Sequence, residues 1–193
     1  MRKLAVLLPG IGYSLDRSLL YFTRRIAADQ GYEIRPVPYA GFPTQVRGDR
    51  EKMLLCYRIA REQTMETLAG LDLYDYDEYL FVGKSIGTVI AAELACQVPE
   101  NRRARQILFT PLEDTFSFPI RDALVFTGGE DPWVGGRSSP IPALCAQGNL
   151  PCHVIPGANH SLETDSVQAD LENQRQILEE AARYIRGIGR EAL

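Results

Sequence analysis

Cysteine and histidine are scarce in this 193-residue chain, with four of the first and two of the second. Cys56, Cys96, Cys145 and Cys152 form no C-x-x-C pair, and with so few histidines there is no zinc-ligand cluster. The four read as free, mostly buried thiols of a reducing compartment, so the expected location is cytoplasmic. Long apolar runs are also lacking: nothing approaches the roughly 18 uninterrupted residues of a membrane span. Met1-Arg2-Lys3 followed by Leu4 to Leu8 looks like the start of a leader, but Pro9-Gly10 breaks the run and no small-residue cleavage pattern follows. That stretch reads as a buried strand. Nor is there a cationic excess, because 21 Lys and Arg against 25 Asp and Glu leave a net charge of −4. A protein that grips phosphate backbones is therefore not expected, and no nucleic-acid partner is assigned.

What remains is ordinary globular material, 45% hydrophobic and 24% charged. Its length suits one domain, 1–193, and a domain of this size buries about 70% of its unfolded surface without a metal or disulfide staple. No internal repeat, low-complexity tract or linker interrupts it.

Short apolar runs alternate with longer periodic segments, the pattern of a parallel sheet flanked by helices. Strands are expected at Lys3 to Leu8, Glu33 to Pro38, Glu78 to Val82, Gln106 to Thr110, Ala123 to Thr127 and Pro151 to Ile155, each covered on both faces. Helices are expected from Asp16 (as N-cap) to Gln30, from Arg50 to Leu71, from Ile86 to Val98, near Pro142 to Gln147, and from Thr164 to Ile185. Gly31 and Gly70 stand where helix C-termini take glycine. In the third helix Gly87, Ala91 and Ala95 make a stripe of small residues, so it should lie close against its neighbours. In the last helix Val167, Leu171, Leu178, Ala181 and Ile185 form the apolar stripe.

Gly83-Lys84-Ser85-Ile86-Gly87 is a G-x-S-x-G between a predicted strand and that buried helix, the context of a nucleophile elbow. Such a turn strains the serine backbone, and the flanking glycines leave space where a side chain would collide. Ser85 would stand at a helix N-terminus, where the Ile86 N–H is the natural first donor to a developing oxyanion. A serine needs a base. His153 falls inside a predicted strand, whereas His160 follows that strand's carboxyl end, the edge where parallel sheets carry their sites. His160 is the better candidate. An orienting acid should follow a strand too, and Gly129-Glu130-Asp131-Pro132 offers Asp131, with Glu130 and Asp114 as alternatives.

The order Ser85, Asp131, His160 is that of the α/β-hydrolase fold and favours Asp131. With Leu8-Pro9-Gly10-Ile11-Gly12, the Gly83 to Gly87 elbow, Gly129 to Pro132 and Gly157-Ala158-Asn159-His160, the chain resembles the small, lidless, dienelactone hydrolase-like members of that superfamily over nearly its whole length. The resemblance implies a three-layer α/β/α sandwich whose mostly parallel sheet has lost the superfamily's first two strands, leaving six in the order 2-1-3-4-5-6. It implies a second oxyanion amide in the loop after the first strand, assigned to Ile11 with Gly12 as the alternative.

Two positions depart from the pattern: Pro9-Gly10 replaces a frequent His-Gly, and Lys84 replaces a frequent histidine. Lys84 is expected to be partly exposed or to pair with a carboxylate such as Glu113. The implied activity is hydrolysis of a small carboxylic ester or thioester through an acyl-enzyme, with neither metal nor organic cofactor; the other reading is a catalytically idle interaction protein that keeps the fold. A nucleotide enzyme is disfavoured, because Gly83 to Thr88 lacks G-x-x-x-x-G-K-[ST] and Gly10-Ile11-Gly12 lacks the third glycine of G-x-G-x-x-G. Phe42, Leu112, Phe116, Phe118, Tyr13 and Trp133 are candidate pocket walls, and the oligomeric state is left open.

Overall fold

A computed structural model describes residues 1–187. Six strands form a single parallel sheet: β1 (Lys3–Leu8), β2 (Tyr32–Pro36), β3 (Glu78–Lys84), β4 (Arg103–Phe109), β5 (Ala123–Gly128) and β6 (Cys152–Ile155). Their order is 2-1-3-4-5-6, as the resemblance implies. Helices α1 (Ser18–Asp29) and α5 (Val167–Arg186) cover one face; α2 (Arg50–Leu68), α3 (Ile86–Gln97) and α4 (Ile141–Gln147) cover the other.

Alternation along β1 explains how one strand serves both layers. Leu4, Val6 and Leu8 belong to the cluster with α2 and α3, while Ala5 and Leu7 join Leu19, Leu20 and Ile177 on the opposite face. Central strand β3 is buried at every position. The edge strands differ from expectation: β6 is half-buried with Val154 exposed, and β2 is fully buried only at Tyr32. An edge has one strand neighbour and an incomplete helix cover, so continuous apolar sequence there does not guarantee burial on both faces.

Helix limits shift by a few residues at the ends. Arg17, not Asp16, occupies the N-cap of α1 and offers no side-chain capping bond; a free N–H of the first turn, that of Leu19, instead donates to Tyr13 Oη at 3.4 Å. α2 starts behind Asp49, whose carboxylate accepts from Lys52 N–H at 3.0 Å, and stops short of Gly70, which takes φ +86°. In α5, Val167 and Leu171 are exposed and only the later turns, from Ile177 to Ile185, pack on the sheet. Its first turns overhang the layer they were expected to cover. The cysteines are free; Cys56 and Cys145 are buried, Cys152 is half-buried and Cys96 is exposed, so the mostly buried reading fails only at Cys96. Among the described residues no helix is long and apolar enough to cross a membrane.

A candidate active site at the carboxyl edge of the sheet

The elbow is built by close packing between β1, β3 and α3. A Cβ on Gly87 would lie 2.1 Å from the Leu8 carbonyl oxygen, and one on Gly83 would lie 2.6 Å from that of Gly87. Only glycine permits this approach. Ser85 takes φ +54° and ψ −122°, a conformation that an L-residue rarely holds, and its N–H donates to the Phe109 carbonyl at 3.0 Å. Behind it, Thr88 ties the turn by donating to the Ser85 carbonyl through N–H at 2.8 Å and through Oγ1 at 2.6 Å.

His160 arrives from the loop after β6. That loop is pinned to the end of β5: Gly129 N–H donates to Ile155 O at 2.8 Å, and Glu130 N–H to Ala158 O at 2.9 Å. Gly128 makes the contact possible, since a Cβ there would stand 2.3 Å from the Ala158 carbonyl oxygen. Asn159 closes the turn beyond, its Oδ1 accepting from Ser161 N–H at 2.7 Å and Glu163 N–H at 3.3 Å.

The three side chains singled out in the sequence are brought into one line. His160 Nε2 lies 2.8 Å from Ser85 Oγ, and His160 Nδ1 lies 2.7 Å from Asp131 Oδ2. An ionised carboxylate can only accept, so Nδ1 carries the proton and the Nε2 lone pair faces the serine hydroxyl. Asp131 is wholly buried, and its other oxygen accepts from Trp133 N–H at 2.9 Å. Burial holds the His160 pKa below its ordinary value, with the Asp131 hydrogen bond opposing and the Lys84 charge adding to the depression.

The alternatives lie elsewhere. Glu130 pairs with exposed Arg137, and Asp114 sits in a short 3-10 helix, Glu113–Ser117, beside Phe118 on a groove wall. His153 stacks on Phe126 with ring centroids 5.1 Å apart.

Ile86 begins α3, and Ile11 lies on the turn that Gly10 and Tyr13 close with a pair of backbone hydrogen bonds of 3.2 and 3.3 Å. Among the described residues neither the Ile86 nor the Ile11 N–H is taken by a backbone acceptor in these turns. Gly10 brings the turn against the elbow; a Cβ on it would lie 3.0 Å from Ser85 Cβ. Gly12 adopts φ +72° and shapes the same turn.

Lys84 is neither partly exposed nor paired with Glu113. It is 1% exposed, and its Nζ donates to Thr110 Oγ1 at 2.6 Å and to the His160 carbonyl at 2.7 Å. The family-level habit of the position gave no sign of this, and Thr110 carried no signal at all.

Open grooves flank the elbow. One of about 460 Å³ is walled by Ile11, Trp133 and the Pro43 to Arg47 segment, and another of about 310 Å³ by Ile86, Met53, Leu54 and Phe118. Phe42 and Tyr13 line a third, next to Gly10, whereas Leu112 and Phe116 pack into the core instead of walling a pocket. Among the described residues no cluster of three or more His, Cys, Asp or Glu side chains could hold a metal ion.

A six-stranded sheet in this order, with a serine elbow after β3 and a histidine loop after β6, is the architecture of the α/β hydrolases. The chain has that fold. It is similar to an alpha-beta serine hydrolase homologue of Coxiella burnetii, with a TM-score of 0.60, 17% identity, and coverage of 93% of this chain and 84% of that one. A serine hydrolase without lid from Xanthomonas campestris matches with a TM-score of 0.60 and 16% identity over 97% of this chain and 83% of that one. Pyrococcus furiosus esterase Pf2001 matches with a TM-score of 0.64 and 10% identity, again over 97% and 83%. No protein-family model and no curated protein matches the sequence.

Proposed function

We propose that this protein is a serine hydrolase that cleaves a small carboxylic ester or thioester through an acyl-enzyme on Ser85. The observation that carries the reading is the unbroken hydrogen-bond line from Ser85 Oγ through His160 to buried Asp131. In the first half-reaction His160 Nε2 takes the hydroxyl proton as Oγ attacks the carbonyl carbon, and Asp131 stabilises the imidazolium. The substrate oxygen becomes an anion beside the Ile86 and Ile11 amides, at the positive end of α3. On collapse the carbon–oxygen or carbon–sulfur bond breaks, and His160 returns the proton to the departing alcohol or thiol. Water then repeats the sequence on the acyl-enzyme and releases the acid. Shallow grooves suit short acyl chains better than long lipids.

Incubation with a fluorophosphonate probe, followed by peptide mass analysis, tests the assignment. Labelling at Ser85 in the folded protein, absent in Ser85→Ala and accompanied by hydrolysis of p-nitrophenyl acetate, is the expected result. The competing reading, an idle interaction protein, draws on the near-complete burial of Ser85, which is 2% exposed. A folded protein that neither labels nor hydrolyses would establish it. The free thiols accord with the reducing, cytoplasmic location proposed for either reading.

A further inference from the structure

Lys84 is a buried charge that acyl transfer as written above does not use. Among the described residues its ammonium has no carboxylate at ion-pair distance; it is held by a hydroxyl, by a carbonyl and by the face of Tyr13, whose ring centroid lies 5.0 Å from Nζ. Burying such a charge without a tight counter-ion destabilises a fold, and an apolar side chain of the same size ordinarily does better there. Fold stability therefore gives no reason for a lysine at this place. Its contacts do give one. The carbonyl it holds belongs to His160 itself, and Thr110, at the carboxyl end of β4, is fixed in turn by its N–H to Phe126 O at 2.7 Å.

We propose, building on the hydrolase reading, that Lys84 is a positioning residue: by donating to the His160 carbonyl and the Thr110 hydroxyl, it locks the histidine loop to the ends of β3 and β4 and sets the reach of Nε2 to Ser85. The same group lies close enough to Asp131 and His160 to act on both. A cation there stabilises the Asp131 carboxylate and opposes formation of imidazolium, so it keeps His160 a free base at lower pH. Burial lowers the Lys84 pKa to about 7, with Asp131 opposing, Arg17 adding and Glu163 opposing; Tyr13 faces it through its ring. Loss of that proton leaves two N–H groups, enough for both hydrogen bonds. Positioning therefore survives at alkaline pH while the charge effect on His160 disappears.

The test combines ester kinetics with NMR titration of the His160 ring in the parent, Lys84→Met, Lys84→Arg, Thr110→Val and the Lys84→Met/Thr110→Val double variant. Lys84→Met should lower kcat by about 10- to 100-fold, the scale of a small misplacement of a reacting group, with KM within about twofold. The His160 midpoint should rise. Thr110→Val should lower kcat less, and the double variant should fall no further than Lys84→Met by more than about twofold, because both changes break one hydrogen bond. Lys84→Arg, which keeps the charge and the donors, should restore the His160 midpoint toward the parent value. A Lys84→Met protein with parental kcat and an unchanged His160 midpoint would overturn the proposal. If Lys84→Met does not fold, an unchanged kcat in Thr110→Val does so alone. Should the parent hydrolyse no ester, the hydrolase reading fails, but the NMR arm still decides whether Lys84 acts on His160.

Discussion

Trp133 lies face to face with His160, ring centroids 5.0 Å apart and planes at 20°, while its own N–H donates to Asp131. One residue thus supports both members of the base–acid pair, through its ring and through its backbone. Trp133→Ala keeps the backbone donor and removes the cover, so water reaches the imidazole and the His160 pKa returns toward its ordinary value. We expect the acid limb of the kcat/KM profile to move to higher pH and kcat to fall by about tenfold. Trp133→Phe should change both much less.

Members of a triad act as a unit. Ser85→Ala and His160→Ala should each lower kcat by about 10³-fold or more, and the double variant should lose little further. Penalties that multiply in steady-state assays would show the two residues to be acting separately.

Asp131→Asn offers the imidazole an amide in place of a carboxylate and favours the wrong tautomer, so kcat should fall by up to about 10⁴-fold. Glu130→Gln and Asp114→Asn should stay within about tenfold of the parent, because Glu130 is turned to Arg137 and Asp114 lies on a groove wall. A larger loss in Asp114→Asn than in Asp131→Asn would move the acid to the earlier strand.

The pH profile separates the histidines. Attack needs His160 neutral, and its pKa is lowered, chiefly by burial, so kcat/KM should rise through a midpoint below about 6.5 and be level at neutral pH. His153→Gln should leave that profile in place, since His153 packs on Phe126 within β6. A shifted or lost acid limb in this variant would reassign the base.

Glycine at the elbow is a steric requirement. Gly87→Ala would push a methyl to 2.1 Å from a main-chain oxygen of β1, where neither atom is at the end of a flexible chain. Thermal or urea unfolding should show a loss of about 3 kcal/mol, and esterase activity should fall with it.

The sheet and the site differ in how legible they are from the sequence. Strand and helix placement and the candidates Ser85 and His160 follow from patterns that repeat a local rule: alternation along β1, glycines two residues either side of Ser85, and a histidine just past a strand end. The sheet order, and Asp131 over Glu130 and Asp114, followed from the resemblance to the α/β hydrolases. The edges were not legible in this way, because exposure along β6 depends on how far the flanking helices reach over the sheet's edge, which no short window reports. Lys84 was misread for a similar reason. Its neighbours in the chain say only that it ends a strand, whereas its surroundings come from Thr110, 26 residues on, and His160, 76 residues on. Trp133 was legible as a wall candidate, but its ring contact with His160 depends on how the loops after β5 and β6 meet.

The positive φ of Ser85 also limits what chemistry could replace it over evolutionary time. A second substituent on Cβ crowds a backbone held in that region, so threonine there carries strain, as Thr110 does at φ +43°, and is disfavoured even though its hydroxyl is as good a nucleophile in principle. Cysteine has the same unbranched Cβ as serine and passes the steric test. Descendants of this scaffold can exchange oxygen for sulfur at the elbow with one substitution at no added steric strain, whereas a secondary alcohol there adds the strain of a branched Cβ.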